Sequence, residues 1–163
     1  MAFLFRLRKG FTLTEILVTA AILAILAAAA IPLSKIAVQR EKEIELRRDL
    51  RLMRKAIDTY KKMADEKKIE FDSDADGYPP DLETLVKGVK LASGDKDKAK
   101  GSGEKIIKFL RRVPKDPMTN TFDWGLLSSQ DAPDAAGWGE QNVFDVYTKS
   151  RGKALDGSKY RDW

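Results

Sequence analysis

The feature that most constrains this chain is an uncharged apolar segment running from Ile16 to Ser34. At about 1.5 Å per residue, a helix of this length extends roughly 28 Å, which matches the hydrocarbon core of a bilayer. A charged stretch follows directly, and its apolar residues recur at steps of three and four: Leu46, Leu50, Met53, Ile57, Tyr60 and Ala64. This period is typical of one face of an amphipathic helix. The sequence therefore predicts one helix from Phe11 to about Asp65, hydrophobic first and amphipathic second.

Two residues are unusual for a helix in lipid. Glu15 places a carboxylate at the start of the apolar segment, after the basic run Arg6-Leu7-Arg8-Lys9. A charge costs about 2.5 to 3.5 kcal/mol at the centre of a membrane helix, so we expect this carboxylate either to have a partner or to reach the interface. Pro32 lacks an N–H group and costs about 3 kcal/mol in a helix interior. It predicts a kink or local melting near residues 28–33, or marks the exit from the membrane.

The run Lys9-Gly10-Phe11-Thr12-Leu13-Thr14-Glu15 resembles the class III signal of type IV pilins and their relatives. The resemblance implies that a prepilin peptidase cleaves after Gly10, removing residues 1–10 as a leader, and methylates the new amine of Phe11. It also implies that Glu15 pairs with that amine in a neighbouring subunit and that Pro32 is the family's helix-interrupting proline. A secretory signal peptide cut near residues 28–30 is the alternative, although that template does not account for Glu15.

The rest of the chain, residues 67–163, is rich in Asp, Gly, Ser, Pro and Lys between short apolar runs. Such a composition predicts a small domain that packs on the amphipathic helix. Short helices are expected at residues 81–86 and 106–113, a loop at 93–103, and strands at 122–127 and 143–148. The predicted fold is α+β. A long N-terminal helix over residues 11–66, with 11–34 as its transmembrane part, packs on a domain of short helices and a small antiparallel sheet.

Residues 77–86, 113–120 and 144–147 are similar to segments of the major pseudopilins of type II secretion. The resemblance implies a non-enzymatic subunit, anchored in the bacterial inner membrane by one span, whose C-terminal domain lies in the periplasm and which assembles into a filament that drives protein export. The implied partners are further copies of the chain, minor pseudopilins, the inner-membrane assembly platform, prepilin peptidase and membrane lipid. The absence of cysteine fits, because many type IV pilins close a C-terminal loop with a disulfide. A type IV pilin of an extracellular fibre, used in adhesion, motility or DNA uptake, is the alternative.

Two acidic loops are candidate calcium sites. The 72–83 loop satisfies the pattern D-x-D-x-D-G-x5-E of the EF-hand, apart from two prolines, and its candidate ligands are Asp72, Asp74, Asp76 and Glu83. The resemblance implies a second site in the C-terminal loop, with Leu155, Asp156, Ser158 and Asp162 as candidates. The metal-free alternatives are an acidic loop that caps a helix, and a glycine turn held by packing of Tyr160 and Trp163. An exported soluble calcium-binding domain with a cleaved signal peptide is a further interpretation of the whole chain.

Several classes of function find no support in the composition. The chain has no histidine and no cysteine, which excludes imidazole–metal sites, thiol nucleophiles and Ser–His systems. No phosphate-binding glycine-rich loop is present. Loss of the three leader cations would reduce the formal charge from +5 to +2, with acids and bases interleaved on the helix. The sequence thus predicts neither an enzyme nor a nucleic-acid partner.

Overall fold

A computed structural model describes residues 10–71, 75–92, 105–132, 135 and 137–163, without the side chains of residues 29–33. Helix α1 spans Leu13–Asp65 and helix α2 spans Leu82–Lys87. The strands are β1 (Val89–Lys90), β2 (Ile106–Ile107), β3 (Gly125–Leu127) and β4 (Asp145–Tyr147), and a short 3-10 helix covers Tyr160–Asp162. The strands form two antiparallel pairs, β1 with β2 and β3 with β4. The α+β fold class predicted from the sequence is therefore confirmed.

The chain divides into two compact units, residues 1–40 and residues 41–163. The second unit contains the amphipathic half of α1 together with all the shorter elements. The boundary falls inside α1 because the buried apolar stripe of that helix begins only beyond it, at Leu46. The division at residues 10 and 66 that the sequence suggested stays a prediction about processing and anchoring.

Helix α1 begins within two residues of its predicted start and ends where predicted. Its last turn closes with a Schellman arrangement, in which Lys68 N–H donates to Met63 O and Lys67 N–H to Ala64 O, both at 2.9 Å. Lys67 adopts the left-handed conformation (φ 52°) that this ending requires. The helix is continuous through Pro32, so the predicted local melting is not found. Proline has a φ close to the helical value, and its missing N–H removes a single backbone bond.

The predicted apolar stripe of α1 forms the centre of the core. Leu46, Leu50, Met53, Ile57, Tyr60 and Ala64 are all buried. They belong to one cluster with Leu85 of α2, Trp124 beside β3 and Val146 of β4. The sequence period of three and four thus identified the face of the helix on which the small domain folds. Burial of this stripe supplies the apolar area that the short strands cannot supply alone.

Helix α2 and the β3–β4 pair occur where the sequence placed them. Asp81 caps α2 by accepting a hydrogen bond from Thr84 N–H at 2.6 Å. Strands β3 and β4 are shorter than the predicted 122–127 and 143–148, and they pair with Leu126 opposite Val146. The loop predicted at residues 93–103 lies outside the described residues.

The helix predicted at residues 106–113 is wrong. Ile106 and Ile107 form β2, which pairs with β1 in the register Val89 opposite Ile107. Immediately afterwards the N–H groups of Phe109 and Leu110 both donate to Leu85 O at 2.9 Å. These donors are used by α2 rather than by a local helical turn, so tertiary hydrogen bonding overrides the local apolar period.

Candidate processing and assembly site

The predicted cleavage position lies just before α1. Gly10, Phe11 and Thr12 precede the first helical residue, and all three are exposed. A Cβ atom placed on Gly10 would meet nothing within 4 Å, and the Phe11 side chain is 80% exposed. The bond between Gly10 and Phe11 is therefore outside the helix and is not covered by other described residues.

Thr12 and Glu15 organise the first turn of α1. Glu15 N–H donates to Thr12 Oγ1 at 3.2 Å, and Ile16 N–H donates to Thr12 O at the same distance. Thr12-x-x-Glu15 has the pattern of a capping box, and this is the half of the box in which the threonine hydroxyl accepts. The Glu15 carboxylate has no hydrogen bond or ion pair among the described residues. Its charge interacts favourably with the helix dipole yet stays available to a group from outside the chain.

The apolar segment of α1 has no protein cover within its own unit. Every described side chain from Phe11 to Ala28 is exposed, including Leu13, Ile16, Leu17, Leu23, Ile25 and Leu26. An apolar surface that extends round a whole helix over several turns requires lipid or other protein to cover it.

Across the described part of the chain, no helix is both long enough and apolar enough to cross a membrane. The predicted span from Ile16 to Ser34 includes residues 29–33, whose side chains lie outside the description.

The C-terminal loop forms a turn closed by its own hydrogen bonds. Asp156 Oδ1 accepts from the Ser158 hydroxyl at 2.6 Å and from Ser158 N–H at 2.9 Å. These two bonds, the hydroxyl first, hold the pKa of Asp156 below its ordinary value, and Arg47 contributes in the same direction. The Arg47 guanidinium lies 3.7 Å from Asp156 Oδ2. The carboxylate is thus occupied by a serine and a cation of the same chain.

Glu43 of α1 binds this loop, which the sequence did not reveal. It is 4% exposed, although it lies in a stretch of the helix where acids and bases are interleaved. Its Oε1 atom accepts from Leu155 N–H at 2.9 Å and from the Tyr160 hydroxyl at 3.0 Å. A buried acid at a position flanked by charged residues differs from its neighbours only through its tertiary contacts, so no local signal identifies it.

Trp163 and Arg54 complete the attachment of the C-terminal segment to α1. The Trp163 ring packs edge-on against Tyr160 and carries the Arg47 guanidinium 3.8 Å from its centre. Arg54 donates to Asp145 through two nitrogens, at 2.6 and 3.2 Å, and to the backbone oxygen of Trp163 at 2.8 Å.

The candidate calcium ligands are brought together only in part. Asp72 and Asp74 of the 72–83 loop lie outside the described residues. Asp76 accepts a long hydrogen bond from the Ser129 hydroxyl (3.4 Å), and Glu83 pairs with Lys87 at 2.5 Å. In the regions described, no three acidic side chains are grouped so that they could hold a metal ion.

Comparison with known proteins supports the N-terminal signal. Residues 5–31 match the family described as the prokaryotic N-terminal methylation motif. No curated protein and no solved structure is significantly similar to the chain. The chain thus carries a prepilin signal of the type IV pilin kind. Its long N-terminal helix, followed by short helices and two small antiparallel sheets, is consistent with the α+β fold of pilins.

Proposed function

We propose that this protein is a pseudopilin, cut between Gly10 and Phe11, N-methylated on Phe11 and assembled into a filament of a type II secretion system. Before assembly it is anchored in the bacterial inner membrane by the apolar part of α1, with residues 41–163 in the periplasm. Its partners are further copies of itself, minor pseudopilins, the assembly platform of the inner membrane, prepilin peptidase and lipid. Its role is structural rather than enzymatic.

The proposal rests on the exposure of the first turn of α1 and on the carboxylate that this turn carries. An exposed apolar helix begins beside the exposed Gly10–Phe11 bond and carries Glu15, whose carboxylate has no partner among the described residues. Cleavage creates an ammonium group at Phe11. In a stack of helices, Glu15 of one copy then pairs with the amine of the next, which offsets the cost of burying either charge alone. The apolar side chains that surround Glu15 pack against neighbouring helices at the same time.

The first test is the mature N-terminus, measured by mass spectrometry of the protein from cells that contain a prepilin peptidase. We expect a chain that begins with methylated Phe11. A start near Ile31 would instead identify a secretory signal peptide and a released domain, and it would overturn the assignment.

The second test is Glu15→Ala, with Glu41→Ala as the matched control, since Glu41 is an exposed acid farther along the same helix. Glu15→Ala is expected to insert and to be cleaved normally while filament yield is lost. Glu41→Ala is expected to assemble at the yield of the unmodified chain. Normal filament yield from Glu15→Ala would remove the pairing argument.

A pilin of an extracellular fibre shares this chemistry and differs in where the filament acts. Deletion of the gene is expected to block export of secreted proteins and to leave surface fibres intact. Loss of surface fibres with intact secretion would assign the chain to the extracellular class instead.

A further inference from the structure

Residues near the C-terminus of the chain form a cleft that is lined chiefly by cationic side chains. It has a volume of about 500 Å³ and is formed by Tyr147, Lys149, Ser150, Arg151, Lys159 and Arg161. We call it the basic cleft. Four of these six side chains are cationic and none is acidic, so the cleft presents a positive potential that favours an anionic partner.

Part of this charge has no counterpart within the chain. Lys149 pairs with Asp123 at 2.5 Å, and Arg161 donates to Ala135 O at 2.6 Å while lying over the Tyr147 ring. The side chains of Arg151 and Lys159 have no hydrogen bond or ion pair among the described residues. Both are exposed. The cleft therefore keeps at least two cations available for a partner.

The same unit has a surface of opposite sign in residues 75–83, which we call the acidic segment. It carries Asp76, Asp81 and Glu83 and contains no Lys or Arg. In the sequence this is part of a longer stretch, residues 69–86, with six acids and no cation. The segment has a net negative charge even though Glu83 pairs with Lys87.

The backbone of the acidic segment is held in place while its acids face solvent. Ala75, Gly77 and Pro79 are buried, and the three acids are exposed. The residues Pro79-Pro80 restrict the backbone further, so little conformational entropy is lost when a partner binds. The nearby Lys61 pairs with Asp65 at 2.6 Å, and its charge also interacts with Asp76. The charge of the segment is therefore compensated only in part.

The two surfaces do not satisfy each other within one chain, since no cation of the basic cleft pairs with an acid of the acidic segment among the described residues. Two different, complementary patches on one chain give a head-to-tail contact that repeats from copy to copy, and it builds an open filament when the rotation between copies does not close into a ring. We infer that the acidic segment of one copy docks in the basic cleft of the next. This inference rests on the proposed function and adds a contact between the domains to the contact between the helices.

Cross-linking tests the contact directly, because the chain contains no cysteine. Two differently tagged full chains, one with Asp76→Cys and one with Lys159→Cys, are assembled together into filaments and treated with a bifunctional thiol reagent. A chelator is present so that no cation neutralises the 72–83 loop. We expect dimers that carry both tags. Replacing Lys159→Cys by Lys108→Cys, at an exposed cation outside the cleft, is expected to give none.

Charge reversal tests the electrostatic origin of the contact. A cleft variant, Arg151→Glu with Lys159→Glu, and a segment variant, Asp76→Lys with Glu83→Lys, are each expected to lower filament yield by roughly tenfold or more, because like charges then meet. Mixing the two variants restores opposite signs at both contacts and is expected to restore filaments.

The matched control, Lys105→Glu with Lys108→Glu, makes the same charge change outside the cleft and is expected to assemble normally. Thermal unfolding of each full chain shows whether a variant folds. If a charge-reversal variant does not fold, the cross-linking result alone tests the contact between the acidic segment and the basic cleft. If filaments of the unmodified chain form but the 76–159 cross-link is absent, the inference fails while the proposed function stands. If the unmodified, processed chain forms no filament, both fail.

Discussion

Removal of the Glu43 side chain is the perturbation whose effect the structure defines best. Glu43→Ala leaves Leu155 N–H and the Tyr160 hydroxyl without the buried oxygen that accepts from both, at 2.9 and 3.0 Å. Hydrogen bonds to a charged acceptor contribute about 1.5 to 3 kcal/mol each. Both bonds share one oxygen, and the exposed loop can partly rehydrate Leu155 N–H, so we expect a loss of about 2–3 kcal/mol of unfolding free energy.

For a chain of 163 residues this loss lowers the melting temperature by roughly 4–12 °C. The assay is thermal unfolding of the full chain in detergent, followed by near-ultraviolet circular dichroism, which reports the packing of Tyr160 and Trp163. Tyr160→Phe removes one of the two bonds and is expected to cost about 1 kcal/mol. Glu41→Ala is the control at an exposed acid of the same helix. A Glu43→Ala chain as stable as this control would refute the attachment of the C-terminal loop through Glu43.

Three further predictions concern the same unit. Gly125→Ala places a Cβ atom in the ring of Tyr147 and is expected to cost about 1–3 kcal/mol in chemical denaturation, whereas Gly137→Ala, with open space around its Cβ, is expected to be neutral. Burial, and secondarily Glu45, raise the pKa of Asp49 above its ordinary 3.8. The folded state therefore disfavours the ionised acid, and this penalty disappears as the pH falls through the raised pKa. Asp49→Asn should raise the melting temperature near about pH 7 and leave it unchanged near about pH 3; an equal effect at both would contradict the assignment. The calcium assignment predicts that a chelator lowers the melting temperature, and an unchanged transition would reject calcium at both acidic loops.

Local patterns predicted those elements whose signals agree with their tertiary surroundings. Helix α1 has an apolar period sustained over many turns, and its buried stripe is the set of residues that this period selects. Helix α2 has the capping residue Asp81 before a short apolar run. The strands β3 and β4 lie within the two segments, 122–127 and 143–148, that the sequence predicted as strands, and they pair with each other.

The sequence-based predictions failed where a residue distant in sequence forms a hydrogen bond with the backbone or side chain concerned. The apolar residues after Ile106 have a helical period, yet their N–H groups donate to Leu85 of α2. Glu43 lies among charged residues, yet the C-terminal loop covers it. In both cases the hydrogen-bonding partner is distant in sequence, so the pattern of neighbouring residues does not predict the contact.

By itself, the sequence determined the processing signal, the apolar segment and the amphipathic face of α1. A sequence motif and a helical period are properties of residues near one another in the chain, so they can be recognised without a structure. The tertiary structure alone decided that Glu43 and Arg54 hold the C-terminal segment, and that the basic cleft and the acidic segment are separate surfaces. Those properties depend on which distant groups share a hydrogen bond or remove water from a charge, and burial sets the energy of both.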